Sequence, residues 1–82
     1  MRLDKFLKIS RIIKRRTVAK QICDASKIKI NGKTAKSSTE VKPSDIITIN
    51  IGAEEKSYRV LQVKEVVKKQ EADELYEFIE HT

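Results

Sequence analysis

Apolar positions at the start of the chain recur at helical period. In MRLDKFLKISRIIKRR, Leu3, Phe6, Leu7 and Ser10 fall within one narrow arc, and Arg2, Lys5, Lys8 and Arg11 spread over the opposite half. The pattern predicts an amphipathic helix from Leu3 to about Ile9, then a tight turn or a looser helical continuation through Ile13. The Thr17 hydroxyl can accept from backbone N–H groups, so Thr17 is the candidate N-cap of a second helix ending near Ala25. Val18, Ile22 and Cys23 are its expected apolar stripe.

After the second helix the period changes to two. Apolar and basic residues alternate in Lys27-Ile28-Lys29-Ile30, which predicts a half-buried strand. Asn31-Gly32 then signals a tight turn, because both residues tolerate positive φ. Lys33 to Thr39 reads as an exposed loop or a short edge strand, and Lys42-Pro43-Ser44-Asp45 as a second turn. Ile46 to Ile51 is a β-branched run with Ile47, Ile49 and Ile51 on one face. Gly52-Ala53 turns the chain, and Tyr58 to Val67 is expected as a longer strand. From Lys69 to His81 the spacing of Ala72, Leu75, Tyr76 and Ile79 predicts an amphipathic helix edged with acids and docked on the sheet. The expected fold class is therefore α+β: two N-terminal helices packed on a small antiparallel sheet, plus a short C-terminal helix. The division is a domain over residues 1–67 and an acidic helix or tail over 68–82.

Charge changes the picture more than composition does. The net +6 is unevenly placed: residues 1–30 carry +8, residues 31–60 carry +1 and residues 61–82 carry −3. A basic head on an acidic tail points to a polyanionic partner at the head. The chain has 82 residues, and a domain of that size buries only roughly 60% of the surface its unfolded chain exposes, which leaves little room for a deep substrate pocket. The one cysteine, Cys23, cannot form an internal disulfide, and it lies on an apolar stripe that suits core packing. The one histidine, His81, is expected to stabilise the carbonyls of a last helical turn. No nucleophile and base pair up, no ligands cluster as for a metal, and no glycine-rich phosphate loop occurs, so no catalytic group, metal or cofactor is expected. No apolar run approaches the roughly 20 residues of a membrane span, and the start lacks the apolar core of a secretory signal. A cleavable mitochondrial leader would remove most of the first helix.

Three polyanions compete. A lipid surface would require Leu3, Phe6 and Leu7 to face lipid instead of a core. Duplex DNA would be read through a helix-turn-helix, but TVAKQICDAS offers only Lys20, Gln21 and Asp24 for base edges. The cations instead cluster before the second helix, at Arg11, Lys14, Arg15 and Arg16 with Lys20 beyond, which favours recognition of backbone and shape as in structured RNA. Lys33 and Lys36, with Lys27, Lys29 and Lys42, form a second basic layer near the Asn31-Gly32 turn. Asp4 and Asp24 are candidates to orient arginines rather than to act as catalytic carboxylates.

The stretch RLDKFLKISRIIKRRTVAKQIC, followed by IKINGKTAKSSTEVKPSDIITI, resembles the RNA-binding domain named after small-subunit ribosomal protein S4. The resemblance runs from Arg2 to about Ile51, completed by the strand near Tyr58 to Val63. It rests on the R-L-D-K-F-L start, the junction Arg15-Arg16-Thr17, the I-x-I-N-G turn and the V-K-P-x-D turn, all in order. It implies two packed helices on a small sheet, the alpha-L motif, with RNA on the exposed basic face. It carries over Arg2, Lys5, Arg11, Lys14, Arg15 and Arg16 as RNA contacts, and Lys8, Lys20, Lys33 and Lys36 extend that set.

In some members of this family the domain accompanies a catalytic domain. The length here is similar to the stand-alone RqcP group, related to heat-shock protein 15. That likeness implies a cytoplasmic, monomeric factor that binds large ribosomal subunits carrying peptidyl-tRNA. It would touch both rRNA and tRNA and assist an RqcH-type tailing factor in adding C-terminal alanine. The alternatives are another small ribosome-binding protein of the heat-shock kind, a duplex DNA regulator, or a detached subunit of an RNA-modifying enzyme. Ser26 and Ser44 stand where the family usually or often has glycine, so either the serines take left-handed geometry or the local turns differ.

Overall fold

The computed structural model describes residues 1–79. Helices α1 (Leu3–Ile9) and α2 (Arg16–Asp24) pack on one face of an antiparallel sheet formed by β1 (Ile28–Ile30), β2 (Lys33–Thr34), β3 (Ile46–Ile51), β4 (Glu54–Val60) and β5 (Tyr76–Ile79). A 3₁₀ helix spans Lys69–Leu75, and the strand order is β2-β1-β3-β4-β5. The α+β expectation of two helices on a small antiparallel sheet holds.

Register decides which side chains meet the helices. Ile28 lies opposite Ile49, Ile30 opposite Ile47, and Ile47 opposite Tyr58, so these residues share one face. Ile28 and Ile47 are fully buried against Leu3, Phe6, Leu7, Ala19 and Cys23. The other face is polar: Thr48 and Ser57 share a hydrogen bond of 3.0 Å, and Arg59 donates to Glu77 across β4 and β5 at 2.5 Å.

The α1 arc is as the pattern requires, with Leu3, Phe6, Leu7 and Ser10 all fully buried. Its start has no side-chain cap at Arg2. Backbone from a strap over residues 35–41 does that work instead. Leu3 N–H donates to Thr39 O at 2.8 Å and Asp4 N–H to Ser37 O at 3.1 Å, while Val41 N–H reaches Met1 O at 2.8 Å. The Asp4 carboxylate accepts from Lys5 N–H at 2.8 Å, so the first three orphan donors are satisfied.

Several local expectations are corrected. Helix α2 begins at Arg16, because Arg15 is the extended residue (φ −116°, ψ 128°) whose carbonyl takes the first intrahelical bond, from Ala19 N–H. Thr17 lies inside the helix and does not cap it. The inward stripe is Ala19, Ile22 and Cys23, and Val18 is exposed, because spacings of three and four keep one face. Strand β4 covers Glu54–Val60 and not Tyr58 to Val67, because the two-residue Gly52-Ala53 hairpin places Ile51 directly opposite Glu54. At Asn31-Gly32 the expected turn is found, with φ of 53° and 83°.

A short C-terminal helix starts at Lys69 as expected, and its extent is corrected. Among the described residues of this segment only Lys69–Leu75 is helical, and it is 3₁₀; Tyr76–Ile79 leaves the helix and pairs with β4. The alternation Tyr76-Glu77-Phe78-Ile79 fits a strand as well as the longer spacing fits a helix, and the open edge of β4 decides between them. Tyr76 and Phe78 each meet Tyr58 edge to face with ring centroids 5.5 Å apart. Ala72 and Leu75 are buried. His81 lies outside the described residues.

Helix α2 ends in a Schellman arrangement: Ser26 N–H donates to Cys23 O at 3.0 Å and Lys27 N–H to Ile22 O at 3.2 Å, with Ser26 at φ 61°. Ser44 sits at φ 77° in the Pro43 turn. Both serines therefore take the left-handed geometry that glycine adopts without strain. Ser26→Gly and Ser44→Gly should each raise the unfolding free energy by about 0.5–1 kcal/mol, the left-handed penalty less the extra backbone entropy of glycine. Urea denaturation would read this directly; unchanged or lower midpoints would show that the serines are unstrained.

Candidate nucleic-acid interface

The candidate interface is organised by a buried carboxylate. Asp4 is on the first turn of α1, between Leu3 and the buried Phe6, and its side chain is only 4% exposed. Arg2 Nε donates to its Oδ1 at 3.2 Å and Arg2 Nη2 to Oδ2 at 3.4 Å. Arg16 Nε reaches the same Oδ2 at 3.5 Å from the first residue of α2. The two guanidinium groups converge from residues fourteen apart, while their side chains stay 53% and 51% exposed. A buried carboxylate is stable only when paired, so its burial holds both arginines in one orientation. Of the two candidate orienting acids, Asp4 takes this role; among the described residues Asp24 pairs with no arginine.

The remaining cations are distributed around this pair. Lys5 Nζ is bound to Glu65 Oε2, and that hydrogen bond is the main cause that lowers the Glu65 carboxyl below its ordinary range. Lys8 and Arg11 line a cleft against the segment after β4. Lys14 and Arg15 are exposed on the link between the helices, and Lys20 is exposed one helical turn beyond Arg16. Lys36 sits on the strap that caps α1. Lys33 is on β2, an edge strand of the sheet. The structure thus joins Arg2 with Arg16 directly, and Lys8 with Arg11.

Arg11 itself is strained. It follows the C-cap Ser10 with φ 63°, and its N–H bonds to Lys8 O at 3.1 Å. The fully buried Ser10 ties the turn together, donating through Oγ to Leu7 O at 3.3 Å and accepting from Ile12 N–H at 3.4 Å. A long cationic side chain therefore occupies a backbone position suited to glycine.

Nothing in the surroundings suggests covalent chemistry. Burial pushes the Cys23 thiol up to about 11, with Asp4 and then Asp24 adding to the effect, so it is a packing residue and not a nucleophile at neutral pH. Among the described residues no group of three or more His, Cys, Asp or Glu is placed to hold a metal ion. No helix of the described residues is long and apolar enough to cross a membrane. Lys68 and Lys69 line the same cleft as Lys8 and Arg11, and the sequence reading missed them. The acids that follow from Glu71 onward made the whole segment look negative.

A family model described as the S4 domain matches residues 1–47. The chain is similar to the RQC P-site tRNA stabilizing factor of Streptococcus pneumoniae, at 51% identity over 82 residues that cover all of this chain and 93% of that protein. The protein of the same name in Bacillus subtilis is 50% identical over 76 residues, 93% of this chain and 88% of that one. Among solved structures, the trimeric heat shock protein 15 of Vibrio cholerae matches with a TM-score of 0.85 at 31% identity, covering 96% of this chain and 81% of that chain.

Two substitutions separate bracing from charge. Asp4→Ala should destabilise the fold by about 1–3 kcal/mol, because Lys5 N–H loses its acceptor and the two guanidinium groups lose their counter-charge. A melting curve equal to that of the parent would remove Asp4 from its bracing role. Arg11→Gly should instead stabilise by about 0.5–1 kcal/mol by relieving positive φ. Reduced stability in that variant would mean that the turn gains more from the arginine side chain than it loses in strain.

Proposed function

The chain belongs to the S4 domain family, and on that footing we propose that it is a non-catalytic RNA-binding factor of ribosome-associated quality control. One observation carries the reading: two half-exposed guanidinium groups held side by side on a buried carboxylate. Arg2, Asp4 and Arg16 together leave one uncompensated positive charge. The guanidinium donors not used on Asp4 are free to meet an RNA phosphate, which supplies the missing negative charge bidentately. Because the arginines are already oriented, little side-chain entropy is lost on binding. Lys14, Arg15 and Lys20 flank the pair and add sequence-independent attraction.

Similarity across nearly the whole chain to two factors named for stabilizing P-site tRNA supports the finer reading. In it, the protein binds obstructed large subunits that carry peptidyl-tRNA, and its basic face contacts rRNA and tRNA. It thereby assists an RqcH-type factor that extends stalled nascent chains with alanine. It acts in the cytoplasm as a monomer, and it works by holding RNA in place without chemistry of its own. The fold likeness to heat shock protein 15 favours a second reading, a stress factor on ribosomes. The higher identity to the tRNA-stabilizing factors favours the first.

Co-sedimentation separates the possibilities. The protein should pellet with large subunits bearing peptidyl-tRNA and far less with empty ones. Arg2→Ala and Arg16→Ala should each weaken that association about tenfold or more, the scale of one lost hydrogen bond to a charged group. If roughly five or six phosphates are neutralised, log affinity should fall with log salt at a slope near −4 to −5. Indifference to both substitutions, or a preference for duplex DNA over structured RNA at matched salt, would overturn the proposal.

A further inference from the structure

Lys68 and Lys69 follow β4 by eight and nine residues, at the end of an irregular stretch and the start of the 3₁₀ helix, yet the fold carries them back to the basic head. A cleft of about 290 Å³ lies between the end of α1 and this segment. Lys8 and Arg11 line it from the α1 side, and Lys68 and Lys69 from the other. Half-buried Ile9 and Val67, both packed against the core, give it apolar lining, and Val66 at the same cleft is 88% exposed. The single acid among its lining residues is Glu65, whose carboxylate is already engaged by Lys5.

Four cations thus face a space whose one carboxylate points its charge at a fifth. Converging like charges repel one another and create a strongly positive local potential, which an anion between them relieves. The apolar side chains beside the cations select among anions. Val66 is an exposed apolar side chain that a free inorganic ion would leave uncovered, whereas a nucleotide lays its sugar and base there and its phosphate among the cations. Arg2 precedes α1, Lys5 and Lys8 lie on it and Arg11 follows its C-cap, so one helix carries cations from the braced arginines to this cleft. A strand of RNA lying on the first can continue into the second.

We propose that this cleft is a second backbone subsite for the same RNA, in which Lys68 and Lys69 act with Lys8 and Arg11 on a phosphodiester group. The proposal rests on the RNA-binding reading given above. Glu65 has a part in it: in the free protein its carboxylate occupies Lys5 and sits at the cleft, and the RNA phosphate displaces it. The C-terminal third of the chain, acidic in sum, then contributes to binding through its two leading lysines.

The test uses the full chain and purified large-subunit ribosomal RNA as probe, with dissociation constants measured across a range of salt. Lys68 and Lys69 are exposed, so Lys68→Ala/Lys69→Ala should melt like the parent. It should bind about tenfold more weakly at moderate salt, with a log–log salt slope less steep by about 1 to 2, one per lost phosphate contact. Glu65→Gln should bind a few-fold more tightly, because the competing carboxylate is gone. Unchanged affinity and slope in the double variant, alongside weakened binding by Arg16→Ala, would overturn the cleft and leave the RNA-binding reading intact. Loss of affinity at an unchanged slope would overturn it as well, since no phosphate would have been released. Binding of poly-glutamate that depends on Lys68 and Lys69 while RNA binding does not would assign the cleft to an acidic protein and overturn the proposal. Failure of the parent protein to bind the RNA at all would overturn both readings together.

Discussion

The buried carboxylate of Asp4 connects the core to the charged surface. Leu3, Phe6 and Leu7 are drawn inward by the hydrophobic effect, and the helix they form carries Asp4 down with them. A carboxylate in that position must be satisfied locally. Lys5 N–H, Arg2 and Arg16 satisfy it. The same contacts fix the entry of the chain into α1, dock the start of α2 against it, and set the spacing of two guanidinium groups. Packing, helix capping and ligand geometry therefore share one group. A change at Asp4 cannot alter one of them without altering the others.

Asp4 and Glu65 show two ways for an acid to serve a basic surface. Asp4 is shielded from solvent and cannot swing away, so it leaves Arg2 and Arg16 oriented whether or not an anion is bound. Glu65 is exposed on the segment after β4, and its bond to Lys5 is the kind of surface ion pair that contributes little and is screened by salt. A polyphosphate competes readily with such a pair. The surface thus combines a permanent brace with a displaceable counter-ion.

What the sequence revealed, and what it hid, follows the range of the forces involved. The α1 boundaries, the Asn31-Gly32 turn and the strain at Ser26 are local consequences of period and φ, and each is visible within a few residues. The inward choice of Ala19 over Val18 was not visible, because a small side chain allows close helix packing that hydropathy undervalues. The first half of β4 was missed because Glu54, Glu55 and Lys56 are exposed polar residues, so the strand pairs there without any apolar signal of its own. The conversion of Tyr76–Ile79 to a strand depends on the free edge of β4, a partner sixteen or more residues away. At the interface, the cationic set of the first twenty residues was legible as a pattern. Which of those cations share a partner, and that Lys68 and Lys69 join them, depends on tertiary placement.

The conformational strain of the chain is divided in a way that bears on its function. Ser26 and Ser44 hold positive φ at turns that end or connect elements, where the side chain does nothing that glycine could not do. Arg11 holds positive φ within the cationic surface itself, at the edge of the cleft. Its backbone cost is of order 1–2 kcal/mol, and the electrostatic repulsion from Lys8, Lys68 and Lys69 adds to it. Neither cost is recovered in the free protein, because the Arg11 guanidinium forms no ion pair among the described residues. The turn is held in place by Ser10, not by Arg11. On the proposed RNA-binding reading, a residue that destabilises both its backbone and its neighbours, and that supports nothing around it, contributes when an anion arrives. The strain at Arg11 is thus the local stability that the fold gives up to keep a cation at the mouth of the cleft.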